Sequence, residues 1–242
     1  MSATSEVADK IRIMISGRRD ERCSRTYGTQ GAKMKLMLVG ATGLVGQQAL
    51  QLALADERID EVIAPTRRPL PRHPKLIAPI VEFERLPEDA LWWSVDAVIC
   101  ALGTTMRTAG SREAFYRVDH DFPLSVARLT RRNGATAFVL NSAMGADAAS
   151  RIYYSRVKGE VERDIAELLF LSLTIVRPGL IGGERQEFRT GERLAASVLR
   201  ILDPVLPRAW RINPADKIAG AMIQAAVAAT PGTTILTSAK LL

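Results

Sequence analysis

The stretch Met34–Leu50, MKLMLVGATGLVGQQAL, decides the fold. The apolar run Lys35–Val39 reads as a strand, and Leu44–Leu54 carries apolar residues at helical spacing. Between them Gly40, Gly43 and Gly46 stand at GxxGxxG spacing. In a strand–turn–helix the first glycine permits a tight turn and the second lets the backbone approach a pyrophosphate. The third allows the helix to close on the strand. The unpaired N–H groups and the dipole of the helix start then favour an anion. This stretch is expected to bind the phosphates of a dinucleotide.

Downstream, short apolar runs alternate with helical segments. Strands are expected at Glu61–Thr66, Ile80–Phe83, Ala97–Ala101, Thr136–Asn141, Ser172–Arg177 and Thr234–Thr237, with Phe122–Arg132 a further helix. Continuous apolar strands separated by helices imply a parallel sheet covered on both faces. The expected fold class is α/β: a single doubly wound Rossmann domain over residues 34–242, mostly parallel, with a small C-terminal substrate-side extension. Residues 1–33 are polar and weakly periodic, and read as a disordered tail or an upstream start that is not the natural one.

Composition narrows the classes. No apolar run reaches the ~18 residues of a membrane span; the longest, Leu168–Val176, is interrupted by Ser172 and Thr174. Cys23 and Cys100 make no disulfide framework, and with only His73 and His120 besides, no metal site is expected. Residues 1–33 contain four acids and no apolar signal core, which argues against a transit or secretory peptide. Together with the free cysteines this gives a cytoplasmic expectation. The net charge of +7 is scattered along the chain, so no nucleic acid is expected as a partner.

The cofactor should be NADP(H) rather than NAD(H). NAD-preferring sites carry an acid about 20 residues beyond the glycines, at the end of the second strand. Here that place holds Arg67 and Arg68, which would grip a 2′-phosphate. Ala101, Gly103 and Thr104, after the fourth strand, are small enough for a backbone to lie against the cofactor. In SRIYYSRVKGEVERDI, Ser150–Ile165, Tyr154 lies four residues before Lys158 and shares its helix face, whereas Tyr153 falls on an apolar stripe with Val157, Val161 and Ile165. Tyr153 is therefore a packing residue, in the core or against a second copy, which leaves a homodimer open. Tyr154 is the candidate proton donor, with the Lys158 ammonium expected to lower its pKa. Ser142, at the end of the fifth strand, is the group expected to orient a substrate carbonyl.

These motifs, with VRPGLIGG after the sixth strand, resemble the short-chain dehydrogenase/reductase family. FYRVDHDFPLSVA, NSAMGADAASRIYYSRVKGEVE and IVRPGLIGGERQEFRTGE are similar to its atypical branch, that of the Tat-interacting-protein oxidoreductases. The resemblance implies a Rossmann fold binding NADP(H). Gly40, Thr42, Gly43, Leu44, Val45 and Gly46 would then hold the pyrophosphate, and Arg67 and Arg68 the adenosine phosphate. Ala101, Leu102, Gly103 and Thr104 would line the ribose, with Lys158 holding it, and Pro178, Gly179 and Leu180 would border the nicotinamide. Ser142, Tyr154 and Lys158 would form the catalytic set. Two departures stand out. Asp119 occupies the place where the family often has Asn, and a carboxylate cannot donate as an amide does. Only residues 159–242 follow Lys158, too few for the large substrate domain of nucleotide-sugar epimerases.

The expected activity is reduction of a small carbonyl substrate by hydride transfer, with Tyr154 as proton donor. The alternative is an NADP(H)-binding redox sensor with little turnover. Pocket residues are expected from TTMRTAGSREAF, residues 104–115, and from Glu184–Glu192.

Overall fold

The computed structural model describes residues 34–182 and 212–242. The expectations for residues 1–33 and for the loop Glu184–Glu192 lie outside those residues. The main sheet is built from β1 (Met34–Val39), β2 (Ile59–Ile63), β3 (Leu76–Ile77), β4 (Ala97–Cys100), β5 (Ala137–Asn141), β6 (Ser172–Arg177) and β9 (Gly232–Thr237). Their order is β3-β2-β1-β4-β5-β6-β9, and every pairing is parallel. β7 (Ile181–Gly182) and β8 (Asn213–Pro214) form a separate small ladder.

The helices among the described residues are α1 (Leu44–Ala55), α2 (Met106–Ala109), α3 (Arg112–Tyr116), α4 (Phe122–Arg132), α5 (Tyr153–Ala166) and α6 (Ala215–Ala228). Strand alternation splits the core in two. Leu36, Leu38, Ile99 and Val139 point to one face, where Ala49, Ala53, Ile218 and Met222 of α1 and α6 cover them. Met37, Val39, Val98 and Leu140 point to the other, under Val126 of α4 and Val161 and Ile165 of α5. Strands buried on both faces must be apolar throughout, which is why β1 and β4 read as continuous runs. The stripe of Val157, Val161 and Ile165 is therefore spent inside the subunit, and it offers no face to a second copy.

The third strand is displaced from its expected place. Pairing with β2 starts at Leu76 and reaches Ile80 only as a single bridge to Thr66. Pro79 interrupts the ladder: its carbonyl accepts Thr66 N–H at 2.9 Å, but its missing N–H lies on the same β2-facing side and returns no bond, so pairing resumes only where Val81 N–H donates to the Thr66 carbonyl at 2.9 Å.

Strand order reverses between β1 and β4, so the crevice at their carboxyl ends is the switch point where ligands bind in doubly wound sheets. Arg117–Asp121 forms a π-helical turn that joins α3 to α4 without a break. Pro123 cannot return an N–H to the carbonyl of Asp119, and the widened turn carries Asp119 and His120 into the interior.

Candidate functional site

The turn after β1 brings backbone together closely, with no room for a side chain at Gly40 or Gly46. Gly40 has φ +88, and a Cβ there would stand 2.6 Å from the Ala101 carbonyl. A Cβ on Gly46 would stand 2.0 Å from the Gly40 oxygen. No side chain caps the start of α1 at Gly43, so the first-turn N–H groups of Leu44 and Val45 have no such partner. The Thr42 carbonyl is taken by Gln47 Nε2 at 3.3 Å. N–H groups without a side-chain cap at this glycine turn fit the pyrophosphate of a dinucleotide.

Beyond β2, Thr66 is buried and its hydroxyl closes a turn, donating to the Arg68 carbonyl at 3.0 Å and accepting Arg68 N–H at 3.3 Å. Arg67 and Arg68 are exposed, and among the described residues neither has a carboxylate partner. Among the described residues, the turn thus presents two guanidinium groups without a carboxylate partner.

Lys158 is buried in the middle of the site. Its Nζ lies 2.7 Å from Asp119 Oδ1, and Asp119 Oδ2 accepts Thr104 N–H at 2.8 Å. A Cβ on Gly103 would lie 3.5 Å from Asp119 Oδ1 and 3.9 Å from Lys158 Nζ, so the lysine sits directly against the turn after β4. Burial pulls the Lys158 pKa down, but Asp119 and Tyr154 outweigh it, and the group stands above its usual value. Its contribution to stability is complete below the ordinary lysine pKa and is lost only as pH rises through the raised one.

Tyr154 is 38% exposed, with its ring 5.7 Å from that of Phe115. Its pKa is raised, not lowered as expected from Lys158. Burial pushes it up, the Lys158 charge pulls it down, and Asp119 pushes it up again. The phenol is thus a stable acid at neutral pH. Tyr153 packs instead: its hydroxyl donates to the Arg112 carbonyl at 2.9 Å, and Arg112 and Arg156 lie over its ring.

Ser142 is placed differently from the sequence expectation. Its hydroxyl donates to Glu162, which is ion-paired with Arg177 through Nε at 3.0 Å and through Nη2. A hydroxyl has one proton to donate. Once it is given to Glu162, only lone pairs remain, and a carbonyl oxygen is itself an acceptor. We expect Ser142→Ala to act mainly on stability, lowering Tm by about 3–6 °C for a bond worth roughly 1.5 kcal/mol. Thermal unfolding checks this against turnover, which should fall far less than in Tyr154→Phe. At the end of the same strand, Asn141 Oδ1 is buried with no hydrogen-bond partner among the described residues.

The turn after β6 is anchored from a distance. Gly179 N–H donates to Asn213 Oδ1 and Asn213 N–H to the Leu180 carbonyl, both at 2.8 Å, while the Pro178 carbonyl accepts Met144 N–H at 2.8 Å. Ser238 Oγ donates to Asn213 Oδ1 at 2.8 Å. Sequence reasoning overlooked Glu162, Arg177 and Asn213. Glu162 was detectable, four residues beyond Lys158 and eight beyond Tyr154 on one helix face. Asn213 carries no local signal.

No protein-family model matches the chain. Among curated proteins, HTATIP2 of Rattus norvegicus is 37% identical over 180 residues, 72% of this chain and 72% of that protein. The mitochondrial protein FMP52 of Eremothecium gossypii is 36% identical over 160 residues, 65% of this chain and 71% of that protein. Among solved structures, MoeE5 in complex with UDP-glucose and NAD superposes with a TM-score of 0.66 at 14% identity, covering 84% of this chain and 75% of that one. FMP52 proteins of other fungi are also named mitochondrial, which overturns the cytoplasmic expectation. The free Cys100 thiol speaks against an oxidising compartment but does not distinguish one reducing compartment from another. No helix among the described residues is long and apolar enough to cross a membrane.

Proposed function

Because the chain belongs to the atypical short-chain dehydrogenase/reductase family of HTATIP2 and FMP52, we propose that it is an NADP(H)-dependent oxidoreductase reducing a small carbonyl compound, with Tyr154 as proton donor. The observation that carries this reading is Lys158 Nζ lying against the turn after β4, beside the Gly40 turn, with Tyr154 within electrostatic reach of the same lysine. The N–H groups opening α1 bind the pyrophosphate, and Arg67 and Arg68 bind the adenosine 2′-phosphate. Ala101, Leu102, Gly103 and Thr104 lie along the ribose, which Lys158 holds. Pro178, Gly179 and Leu180 border the nicotinamide.

With NADP(H) bound at this site, the chemistry supplied would be hydride for the carbonyl carbon. Tyr154 passes its phenolic proton to the carbonyl oxygen as the new C–H bond forms, and the phenolate is reprotonated from solvent through its exposed side. Its raised pKa suits this direction, since the group must carry a proton at the start of each turnover.

A panel of aldehydes, ketones and 2-oxo acids assayed for NADPH oxidation tests the proposal. The expected result is turnover with at least one class and tighter binding of NADPH than NADH. Replacing Arg67 and Arg68 together by Ala should erase that preference, a loss of about 10–100-fold for removing charge-assisted bonds to a phosphate. A double variant that still prefers NADPH would remove the arginines from the site. The capture of the Ser142 hydroxyl by Glu162 favours a second reading, a redox sensor with little turnover. Tight NADPH binding with no oxidation by any member of the panel would decide for it.

A further inference from the structure

We infer that Asp119 is the positioning residue of this site: one carboxylate oxygen holds Lys158 Nζ and the other holds Thr104 N–H, so a single buried group sets both the lysine and the turn after β4, and Lys158 faces Tyr154 as half of a neutral pair. This rests on the site assignment made above for Tyr154 and Lys158, and it gives Asp119 a task different from that of the Asn often found at its place in the family.

Three observations support it. Asp119 is 1% exposed and is brought inward by the π turn ahead of Pro123, so its position belongs to the helix backbone rather than to a mobile side chain. Oδ1 is ion-paired with Lys158 Nζ at 2.7 Å without making a hydrogen bond among the described residues, and Oδ2 accepts Thr104 N–H at 2.8 Å. The turn it holds is closed on the other side by Gly40, against whose Cα the Ala101 carbonyl packs. Asp119 therefore ties the lysine to the wall along which the ribose would lie.

The electrostatic consequence is specific. The titratable groups facing Lys158 are Asp119 from the π turn, Tyr154 from α5 and Cys100 from the end of β4. Burial pushes the Cys100 thiol up to about 11, so it is neutral. Asp119 is then the anion that offsets the ammonium among the described residues. An unpaired ammonium beside a phenol favours the phenolate; a paired one does so weakly. Burial raises the Tyr154 pKa, and Asp119 adds to it by offsetting the Lys158 charge, so the phenol stays protonated and ready to donate.

Asp119→Asn keeps the size and the acceptor for Thr104 N–H while removing the charge. The readout is the ionisation of Tyr154, taken as the difference in ultraviolet phenolate absorbance between each protein and its Tyr154→Phe counterpart. In the unmodified chain Tyr154 should titrate above the ordinary tyrosine value of ~10. In Asp119→Asn it should titrate lower by about one unit or more, and the alkaline limb of kcat/KM should move with it. Asp119→Glu, which keeps the charge, should stay close to the unmodified chain. A purely structural role would lower Tm in Asp119→Asn and leave the Tyr154 titration where it was, and that outcome overturns the inference. Should Asp119→Asn not fold, the unmodified chain still decides: a Tyr154 that titrates below about 8 means Lys158 is not neutralised there. The titration needs no substrate, so it stands apart from the carbonyl panel, and a chain that reduces nothing can still show the Asp119 effect.

Discussion

Replacing Tyr154 by Phe is expected to abolish NADPH-dependent carbonyl reduction, by about 10²–10⁴-fold in kcat, while leaving NADPH affinity within about threefold. The phenyl ring keeps the contact with Phe115, so the start of α5 should hold its place. Only the hydroxyl is lost, and with it the proton for the substrate oxygen. Lys158 cannot take over, because its ammonium is buried against Asp119. The pH profile of the unmodified chain gives a second check. With its pKa raised, Tyr154 stays protonated through neutrality, so kcat/KM should show no alkaline fall below ~10. Unchanged turnover in Tyr154→Phe would remove the proton-donor role outright.

The second large effect is expected at Gly46. An alanine methyl there would lie 2.0 Å from the Gly40 oxygen, a backbone atom that can move only by opening the turn. Relieving that overlap must lift the first turn of α1 off β1 and spoil the N–H surface that would meet the pyrophosphate. We expect Gly46→Ala to cost about 3 kcal/mol, seen as a fall in Tm of about 6–12 °C, with NADPH affinity reduced more than tenfold. Gly220→Ala is the matched control. Gly220 lies inside α6 with open space where a Cβ would go, so the same change should stabilise the chain by about 0.5–1 kcal/mol through helix propensity. A Gly46→Ala protein with unchanged melting and binding would mean that the close approach is not needed.

The readings that held share one property: their signals are local. β1, the glycine turn and α1 are encoded within the consecutive residues Met34–Ala55, because a central strand of a doubly wound sheet is buried on both faces and reads as an apolar run. The pairing of Tyr154 with Lys158 is a matter of helical phase, readable from a spacing of four. β3 was displaced because its pairing is set by the neighbouring strand and runs past Pro79, which local pattern treats as a break.

By itself the sequence determined the parallel α/β fold, the glycine turn between β1 and α1, the arginine pair after β2 and the face shared by Tyr154 and Lys158. Only the tertiary structure decided how the charges are spent. Asp119 and Lys158 are 39 residues apart in sequence, and Ser142 is 20 residues from Glu162; both contacts form because parallel strands bring the carboxyl ends of β4, β5 and β6 to one edge. An ammonium that spacing alone would have acidify the tyrosine is instead neutralised by a buried carboxylate, and a serine expected at the substrate is bound to a glutamate. Residue types announce what a side chain can do. Which partner takes its single proton or its charge is settled by distance in the folded chain, because charge pairing and hydrogen bonding act over a few ångströms of space and not along the backbone.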